Sequence, residues 1–396
     1  MFWHPADNRG LTGELIGMGK EMTLELLEGG GNAFPEIIRQ IRAAEHEITV
    51  HMFLWREDRI GTEIAREIIA AADRGVKVTI EKDMYAVTLE YAEESQRSLC
   101  HCPDLRDRLI ISLLVFIYNR ELMGKKLRTS RSSLYMRIKE HPGIVMTDGI
   151  RTYDHSKYYI FDRKVMILGG INIEDKEYYR DIKGRLYHDY MVKISDPEMI
   201  AQFLAKREDP QKKSDLFRVN MKAPVRCFEL KSSYMEIIDG AERELCIMMA
   251  YFAPDKDILS AIKRAIHRGV RVRILIPKRA NFNDDTNRLT VSVLRGYSGS
   301  LSGGSGGRLG IYMTENMLHS KLLVNERRVI IGSCNINRKS FTKLDELAIM
   351  VDNDDSPFAA EVRSSMEKAF QNAECVGTRD RIRYNPVLAA IETAVM

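Results

Sequence analysis

Apolar and polar positions alternate with two different periods along the first half of the chain. Residues 34–55 carry apolar side chains three and four positions apart and then in an unbroken run, which is typical of an amphipathic helix followed by a buried strand. Residues 60–80 repeat that order, and the second helix ends at Gly75, a residue suited to a helix C-cap. This alternation predicts an α/β fold with a largely parallel or mixed sheet flanked by helices.

The second half of the chain repeats the same series. Residues 232–252 and 257–276 again predict helix, strand, helix and strand, with Gly269 in the place of Gly75. Both halves then reach the tripeptide His-Ser-Lys, at 155–157 and 319–321, followed by an apolar strand and a glycine turn. An ordered series repeated twice indicates a duplication. We therefore predict two domains, 1–214 and 215–396, joined by the Lys-rich stretch 207–215.

An insertion in the first copy breaks the symmetry. The interval from glycine to histidine is longer in the first copy (75 to 155) than in the second (269 to 319), and the extra residues near 100–140 contain the apolar run 109–118. That run is too short to span a bilayer. It is either a buried helix or strand, or an interfacial membrane segment with a basic flank. The membrane-contact residues of the second interpretation are Leu113, Leu114, Phe116, Lys125 and Lys126.

Composition narrows the class of protein. Hydrophobic residues make up 44% of the 396, and 60 Lys and Arg against 56 Asp and Glu leave a net charge of +4. That charge is too small for a dedicated nucleic-acid binder, so no nucleic-acid partner is expected. No segment reaches about 20 apolar residues, and the first twenty residues carry no signal pattern. We expect no spanning helix in the chain as given, while a removed membrane anchor stays an open alternative.

Two further segments are predicted to carry no function. Cys100, His101 and Cys102 have no second Cys/His pair at zinc-site spacing, so no metal site is expected there. The six cysteines are scattered, which fits a reducing compartment. Residues 298–307 are rich in Gly and Ser and predict a flexible linker.

The candidate chemistry lies at the two His-Ser-Lys segments. Because side chains alternate on an extended strand, His155 and Lys157 share a face, and so do His319 and Lys321. Two such pairs facing one phosphodiester suit a two-step displacement, in which one histidine attacks phosphorus and the other transfers protons. Side chains then neutralise the phosphate, so no metal or cofactor is expected. The groups predicted to hold its non-bridging oxygens are Lys157, Lys321, Asn172 and Asn335.

Four carboxylates and two small residues complete the predicted site. Asp189 and Glu346 follow the histidines of their own copies at comparable distances, and we predict that each orients its histidine. Asp162 and Glu326 stand seven residues after each histidine and join the catalytic candidates, with the alternative that such an acid only holds a loop at the strand end. The substrate-binding candidates in the glycine turns are Gly170 and Ser333.

Repetition is what separates catalytic from structural histidines in this chain. A single His-Ser-Lys on a strand would be interpreted as a structural or surface feature, whereas two in register inside a duplication favour a shared site. His51, His188 and His267 have no counterpart in the other copy and are interpreted as packing or surface residues.

These motifs resemble the phospholipase D superfamily, whose signature is His-x-Lys, four residues, Asp, a Gly-Gly or Gly-Ser turn, and Asn. The first copy matches throughout, and the second has Glu326 where the family has aspartate. Segments such as YFAPD (251–255), HRGVRVRILIP (267–277) and GSCNINRKS (332–340) are similar to bacterial cardiolipin synthases and related phosphatidyltransferases. The resemblance implies two phospholipase D-like domains related by a pseudo-twofold axis, with the active site at their interface.

The resemblance also implies a reaction and its setting. A phosphatidyl group would move from one phosphatidylglycerol to a second, releasing glycerol, with His155 as the nucleophile and His319 as the acid and base. The implied partners are an anionic phospholipid and the membrane surface, with the protein peripheral to the bacterial cell membrane, on its cytoplasmic side. One alternative is a phospholipase D or phosphodiesterase/nuclease that uses water as the acceptor. The other is a catalytically inactive lipid-binding protein.

Overall fold

The computed structural model describes residues 24–93, 97–127, 130–181, 183–300, 308–377 and 380–395. The first twenty residues, and residues 301–307 of the predicted Gly/Ser linker, lie outside the described residues. Within the described ranges the chain forms two large mixed sheets flanked by helices, which confirms the predicted α/β class.

The first sheet is built from the first half of the chain. Its strands are parallel where β2, β3 and β4 meet and antiparallel elsewhere. The strands of this half are β1 (Leu24–Glu28), β2 (Glu47–Met52), β3 (Lys77–Lys82), β4 (Ile144–Thr147), β5 (Tyr158–Phe161), β6 (Val165–Gly169), β7 (Tyr187–His188) and β8 (Tyr190–Ile194). Their order in the sheet is β1-β8-β6-β5-β2-β3-β4, with β7 outside it.

The second sheet repeats this topology and adds a short strand at each edge. The strands of the second half are β9 (Phe217–Met221), β10 (Cys227–Phe228), β11 (Glu244–Met249), β12 (Phe252–Ala253), β13 (Arg271–Pro277), β14 (Leu309–Thr314), β15 (Met317–Leu318), β16 (Lys321–Asn325), β17 (Arg328–Gly332), β18 (Ile336–Asn337), β19 (Glu346–Asp352) and β20 (Glu374–Cys375). The sheet order is β10-β9-β19-β17-β16-β11-β13-β14-β20. Strands β16 and β17 occupy the positions that β5 and β6 have in the first sheet, so the duplication seen in the sequence is a duplication of topology.

The second helix of each half ends next to the glycine that was predicted to cap it. In the second helix of each half, Asp58 and Asp255 cap the first turn through their side chains, and Gly75 and Gly269 follow the last turn with φ of +96° and +88°. The helices are α1 (Gly29–Ala43), α2 (Arg59–Asp73), α3 (Val87–Ala92), α4 (Leu105–Tyr118), α5 (Ser133–Glu140), α6 (Pro197–Glu208), α7 (Leu230–Asp239), α8 (Lys256–His267), α9 (Asp284–Ser300), α10 (Arg338–Thr342), α11 (Pro357–Gln371) and α12 (Pro386–Val395).

The two sheets share one of the three large cores. On β5, Tyr159 packs into the core under the helices of the first half, while Tyr158 points into a core shared with the second half. That shared core joins side chains of β6 and β8 to Leu322 and Ile331 of the second sheet. Because both faces of each sheet are covered, the central strands are apolar on both sides. The shared core fixes the two halves against each other, which is the condition for a site built from both.

The insertion forms a helix that is buried on one side only. Ile111 and Val115 of α4 pack against Val87 and Tyr91 of α3. The opposite face is exposed and includes Leu109 at 74% and Leu113 at 57% of full exposure. Among the described residues, no helix combines the length and apolar character needed to cross a bilayer. The apolar run therefore forms a helix that has apolar side chains on both its buried and its exposed face, and the interfacial membrane contact stays a prediction.

Candidate active site

The backbone of each histidine is attached to the other half of the molecule. His155 N–H donates to the carbonyl of Asp345 at 2.8 Å, beside a parallel bridge between Asp154 and Asp345. His319 N–H donates to the carbonyl of His188 at 2.8 Å, next to the parallel pairing of β15 with β7. Each histidine thus donates its backbone N–H to a carbonyl of the opposite half of the chain. Both His-Ser-Lys segments therefore lie at the boundary between the halves.

The carboxylates predicted to orient the histidines do contact them, but the predicted pairing is wrong. Glu346 Oε2 accepts a hydrogen bond from Nδ1 of His155 at 2.9 Å, and Asp189 Oδ2 lies 2.8 Å from Nδ1 of His319. Each histidine is therefore paired with the carboxylate of the opposite copy. The reason is the parallel bridging, which brings the residue after Asp345 to His155 and the residue after His188 to His319.

Gly170 and Ser333, which were predicted to bind substrate, lie directly against these carboxylates. A Cβ atom on Gly170 would come within 2.2 Å of Asp189 Oδ2, so only glycine leaves room for the carboxylate. In the second copy the Ser333 hydroxyl donates to Glu346 Oε2 at 2.5 Å. Both residues are fully buried or nearly so, and both hold a carboxylate against its histidine.

The two lysines are buried beside the histidines. Lys157 Nζ donates to the carbonyl of His155 at 2.5 Å, and Lys321 Nζ donates to the carbonyl of His319 and lies 3.2 Å from Asp189 Oδ2. Burial lowers the pKa of Lys157 to about 7; Glu346 opposes the shift, and the charge of Lys321 adds to it. The charge of Lys321 disfavours a second ammonium at Lys157, while the carboxylates Glu346 and Asp189 favour it.

His155 lies in the more apolar environment. Its ring packs edge-on against Phe53 at 4.7 Å between centroids, and Lys157 Nζ lies 5.1 Å from the centre of the same phenyl ring. Burial lowers the pKa of His155 to about 4, although Glu346 opposes this shift. An imidazole with that pKa is neutral at pH 7 and has a free lone pair on Nε2 when Nδ1 donates to Glu346.

His319 lies in a polar environment with two carboxylates. Asp189 is joined by Glu177, whose Oε1 is 3.4 Å from Nδ1. Neither contact has the direction of a good hydrogen bond at Nδ1. The rings of Tyr187 and Tyr251 lie 5.9 and 6.1 Å from the imidazole centre. Glu177 and both tyrosines were not among the predicted site residues, although the acidic stretch after Asn172 was a usable signal for Glu177.

The two predicted asparagines are buried next to the glycine turns. Asn172 Oδ1 accepts a hydrogen bond from the backbone of Leu54 at 3.3 Å, which turns the amide NH2 group away from that contact. Asn335 Oδ1 is buried and has no hydrogen-bond partner among the described residues. Both side chains remain candidates for holding phosphate oxygens, and Asn172 has the better fixed orientation.

Asp162 and Glu326 do not belong to the reacting centre, which corrects their place in the catalytic set. Asp162 lies at the far end of β5, about 16 Å along the strand from Lys157. It accepts hydrogen bonds from the backbone N–H groups of residues 45, 46 and 47, and Glu326 does the same for residues 242 and 244. These acids fix the start of β2 and β11, so the alternative of a loop-holding role describes them better.

Two histidines interpreted as packing or surface residues contact the serines of the two His-Ser-Lys segments. His188 lies between the Ser320 hydroxyl, 3.1 Å away, and Glu28 Oε1, 3.0 Å away. His51 lies between the Ser156 carbonyl and Asp154 Oδ2, at 3.2 and 3.1 Å. Each histidine contacts the serine of one His-Ser-Lys segment. Because His51 lies on β2 and His188 on β7, an alignment of the two copies does not pair them. His267 is exposed, as expected for a surface residue.

The predicted membrane-contact residues differ in exposure. Leu113 and Phe116 are exposed at 57% and 51%, and Lys125 and Lys126 are exposed just beyond the helix. Leu114 instead packs on the cluster beneath α4, which corrects its predicted outward orientation.

Comparisons with known proteins agree with this architecture. Cardiolipin synthase B of Shigella flexneri is 25% identical over 278 residues, covering 64% of this chain and 59% of that protein. The chain thus spans about three fifths of the length of that relative. Cardiolipin synthase A of Pseudomonas entomophila is 25% identical over 384 residues, covering 90% of this chain and 70% of that protein.

Similarity in structure extends over nearly the whole chain. The crystal structure of phosphatidylserine synthase from Haemophilus influenzae Rd KW20 is 15% identical in sequence. The similarity covers 93% of this chain and 91% of that chain with a TM-score of 0.65, which shows a shared fold.

The profile of the family described as "Cardiolipin synthase, PLD-like domain" matches residues 37–208 and 234–372, and each match contains one His-Ser-Lys segment. The protein therefore belongs to this family of phospholipase D-like domains.

Proposed function

We propose that the protein is a phosphatidyltransferase that makes cardiolipin from two molecules of phosphatidylglycerol and releases glycerol. The observation that carries the proposal is the crossed arrangement of two histidine–carboxylate pairs, His155 with Glu346 and His319 with Asp189, each with a buried lysine beside its histidine. Neither half of the chain supplies a complete pair. A two-step transfer needs two imidazoles in opposite protonation states, and this arrangement provides two imidazoles in different environments.

In the first step Nε2 of His155 attacks phosphorus. The bond between phosphorus and the glycerol oxygen breaks, and that oxygen takes the proton from Nε2 of His319. The product is a phosphatidyl group on His155, with free glycerol. The neutral state that burial imposes on His155 and the hydrogen bond from Nδ1 to Glu346 support its role as the nucleophile.

In the second step the neutral His319 accepts the proton of a hydroxyl on the second phosphatidylglycerol. The oxygen attacks phosphorus, the bond to Nε2 of His155 breaks, and both histidines return to their starting states. Lys157 and Lys321, together with the Asn172 and Asn335 amides, are proposed to hold the non-bridging oxygens as negative charge builds up. Every step uses only side chains of this chain, and no metal or cofactor is proposed.

The proposed substrates lie in a membrane, and α4 is the proposed contact with its surface. Residues 84–92 connect the candidate site to α4. Tyr85 and Leu89 pack with Phe53 next to His155, and Val87 and Tyr91 pack under α4. The helix is attached to both halves, through Asp107 to Arg151 at 2.7 Å and through Tyr118 to Glu392 at 3.1 Å. Its apolar outer face and the lysines after it suit an anionic bilayer.

The proposed location is peripheral, at the cytoplasmic side of the bacterial cell membrane. All six cysteines lie in the described residues and none is paired, which supports a reducing compartment. The half-exposed α4 supports attachment by an interfacial helix.

A lipid-product assay tests the proposal. The protein is incubated with vesicles of phosphatidylglycerol, and lipids and water-soluble products are quantified. Equal amounts of cardiolipin and glycerol are the expected result. Phosphatidic acid with no cardiolipin would show that the protein is a hydrolase and not a transferase. Cleavage of single-stranded DNA with no lipid product would show that it is a nuclease. A chelator should leave the rate unchanged, and strong inhibition would contradict the side-chain mechanism.

A further inference from the structure

His319 differs from His155 in having a second carboxylate. Glu177 Oε1 lies 3.4 Å from Nδ1 of His319, in addition to Asp189 at 2.8 Å. Glu177 is 2% exposed, and its Oε1 has no hydrogen-bond partner within the described ranges. At His155, by contrast, Glu346 is the one acidic side chain within 4 Å in the part of the chain that the structure describes.

The turn that carries Glu177 is held from several sides. The side chain of Asp175 accepts hydrogen bonds from the backbone N–H groups of Arg59 and Ile60, at 3.2 and 2.7 Å, at the start of α2. Gly30 packs against the carbonyl of Glu177 so closely that a Cβ atom there would be 2.2 Å from the oxygen. Two separate elements therefore fix the backbone that directs Glu177 at His319.

The duplication shows that this carboxylate belongs to one half only. Counting from the asparagine after each glycine turn, Glu177 corresponds to Ser340, because Asn172 aligns with Asn335. Ser340 donates its backbone N–H to the side chain of Asn337 at 2.8 Å. The equivalent position of the second copy thus holds a short neutral side chain, and in the described residues His319 has one more carboxylate within 4 Å than His155 has.

The charges around Glu177 come from several elements. Burial raises its pKa, and the nearby Glu174 and Asp189 act in the same direction, whereas His319 lowers it. Asp189 behaves differently: burial opposes its charged form, but Lys321 and His319 hold its pKa below the ordinary value. The two acids are therefore unequal, with Asp189 the charged partner and Glu177 the group that responds to the charge on His319.

We propose that Glu177 is a positioning residue that makes His319, and not His155, the proton carrier of the reaction. This proposal rests on the proposed function insofar as a phosphodiester is cleaved with a proton delivered to the leaving oxygen. A negative group at Nδ1 stabilises the imidazolium that must exist before the first step and after the second proton transfer. His155 has Glu346 alone within 4 Å among the described acids, and burial keeps its imidazole neutral and nucleophilic.

The test compares two leaving groups. Glycerol leaves phosphatidylglycerol as a poor leaving group that needs a proton, whereas p-nitrophenolate leaves phosphatidyl-p-nitrophenol without one. For Glu177→Gln we expect release of glycerol to slow by about tenfold or more, with the burst of p-nitrophenolate changed by less than about twofold. Glu177→Asp should recover part of the glycerol release, because the charge is kept.

The controls separate a positioning role from a structural one. Glu63→Gln, an exposed change on α2, should leave both rates unchanged, and thermal unfolding should show that each variant is folded. Equal losses with both substrates, or no loss with phosphatidylglycerol, would overturn the role of Glu177. Failure of the proposed function would give a different result, because the wild-type protein would then transfer the phosphatidyl group to water. The comparison of the two leaving groups could still be made in that case, since it measures the released glycerol and p-nitrophenolate.

Discussion

The two halves of the active site are equal in topology and unequal in chemistry. Around His155 there is an aromatic wall from Phe53 and one carboxylate, Glu346. Around His319 there are two carboxylates and two tyrosine rings. A duplicated fold brings identical residues together, but identical histidines cannot perform opposite proton-transfer roles at the same time. The different roles of the two histidines must therefore come from residues that differ between the two copies.

The largest expected effect comes from removing each histidine in turn. His155→Ala should abolish both turnover and the p-nitrophenolate burst, by roughly 10³-fold or more, because no covalent intermediate forms. His319→Ala should lose turnover with phosphatidylglycerol but keep a burst. Trapping of phosphatidyl-protein by a rapid quench into denaturant at neutral pH, where the phosphorus–nitrogen bond survives, measures the difference. A burst retained by His155→Ala and lost in His319→Ala would reverse the proposed roles.

The crossed carboxylates are the next test of the comparison. Glu346→Gln should slow formation of the covalent intermediate on the order of 10²-fold, because the amide removes the negative charge and can donate to Nδ1, which favours the wrong tautomer of His155. Ser333→Ala should cost less, about threefold to tenfold, since its hydroxyl only supports Glu346. Single-turnover rates on the p-nitrophenyl substrate measure both. An effect of Ser333→Ala as large as that of Glu346→Gln would mean that the hydroxyl itself contacts substrate.

The pH dependence of kcat/KM tests the roles proposed for His155 and Lys157. Burial lowers the pKa of His155 to about 4 and that of Lys157 to about 7. The neutral imidazole is the attacking form and the charged lysine is the phosphate-binding form, so kcat/KM should fall as pH drops through about 4 and again as it rises through about 7. Lys157→Arg should move the alkaline limb upward, because guanidinium stays charged. An unmoved alkaline limb would assign it to another group.

The smallest expected effect concerns the surface rather than the centre. Leu113→Glu and Phe116→Glu should each weaken binding to anionic vesicles by roughly tenfold, because each removes a side chain worth about 1.5–3 kcal/mol when buried. Their thermal stability should hardly change, since both are more than half exposed. Ile111→Glu is the matched control: it is buried on the same helix and should destabilise the fold. Unaltered vesicle binding in the two outward variants would remove α4 as the membrane contact.

Most of the fold could be predicted from local signals. The apolar periodicity and the two glycines at helix ends gave the order of helices and strands, and the structure confirms the mixed α/β class. The strand ends differed: the apolar run was predicted to continue to residue 55, but β2 ends at Met52, and Phe53 directly after it contacts His155. The domain boundary near 214, which no comparison tests, stays a prediction.

The candidate site was less accessible to sequence. The two His-Lys pairs were found because they repeat, and repetition can be seen in one dimension. Asp162 was misassigned because motif spacing gives the order of residues along a strand but not which end faces the site. Glu177 was missed because its partner His319 is 142 positions away in the chain.

By itself, the sequence determined the duplicated helix and strand pattern, the two His-Ser-Lys segments and the class of chemistry that imidazole with ammonium can perform. Only the tertiary structure decided that Asp189 serves His319 and Glu346 serves His155. The physical reason is that the two sheets bury a shared core, and the parallel bridges at its edge join each histidine to the other half. Local sequence sets what a segment can form, whereas long-range packing sets which segments meet.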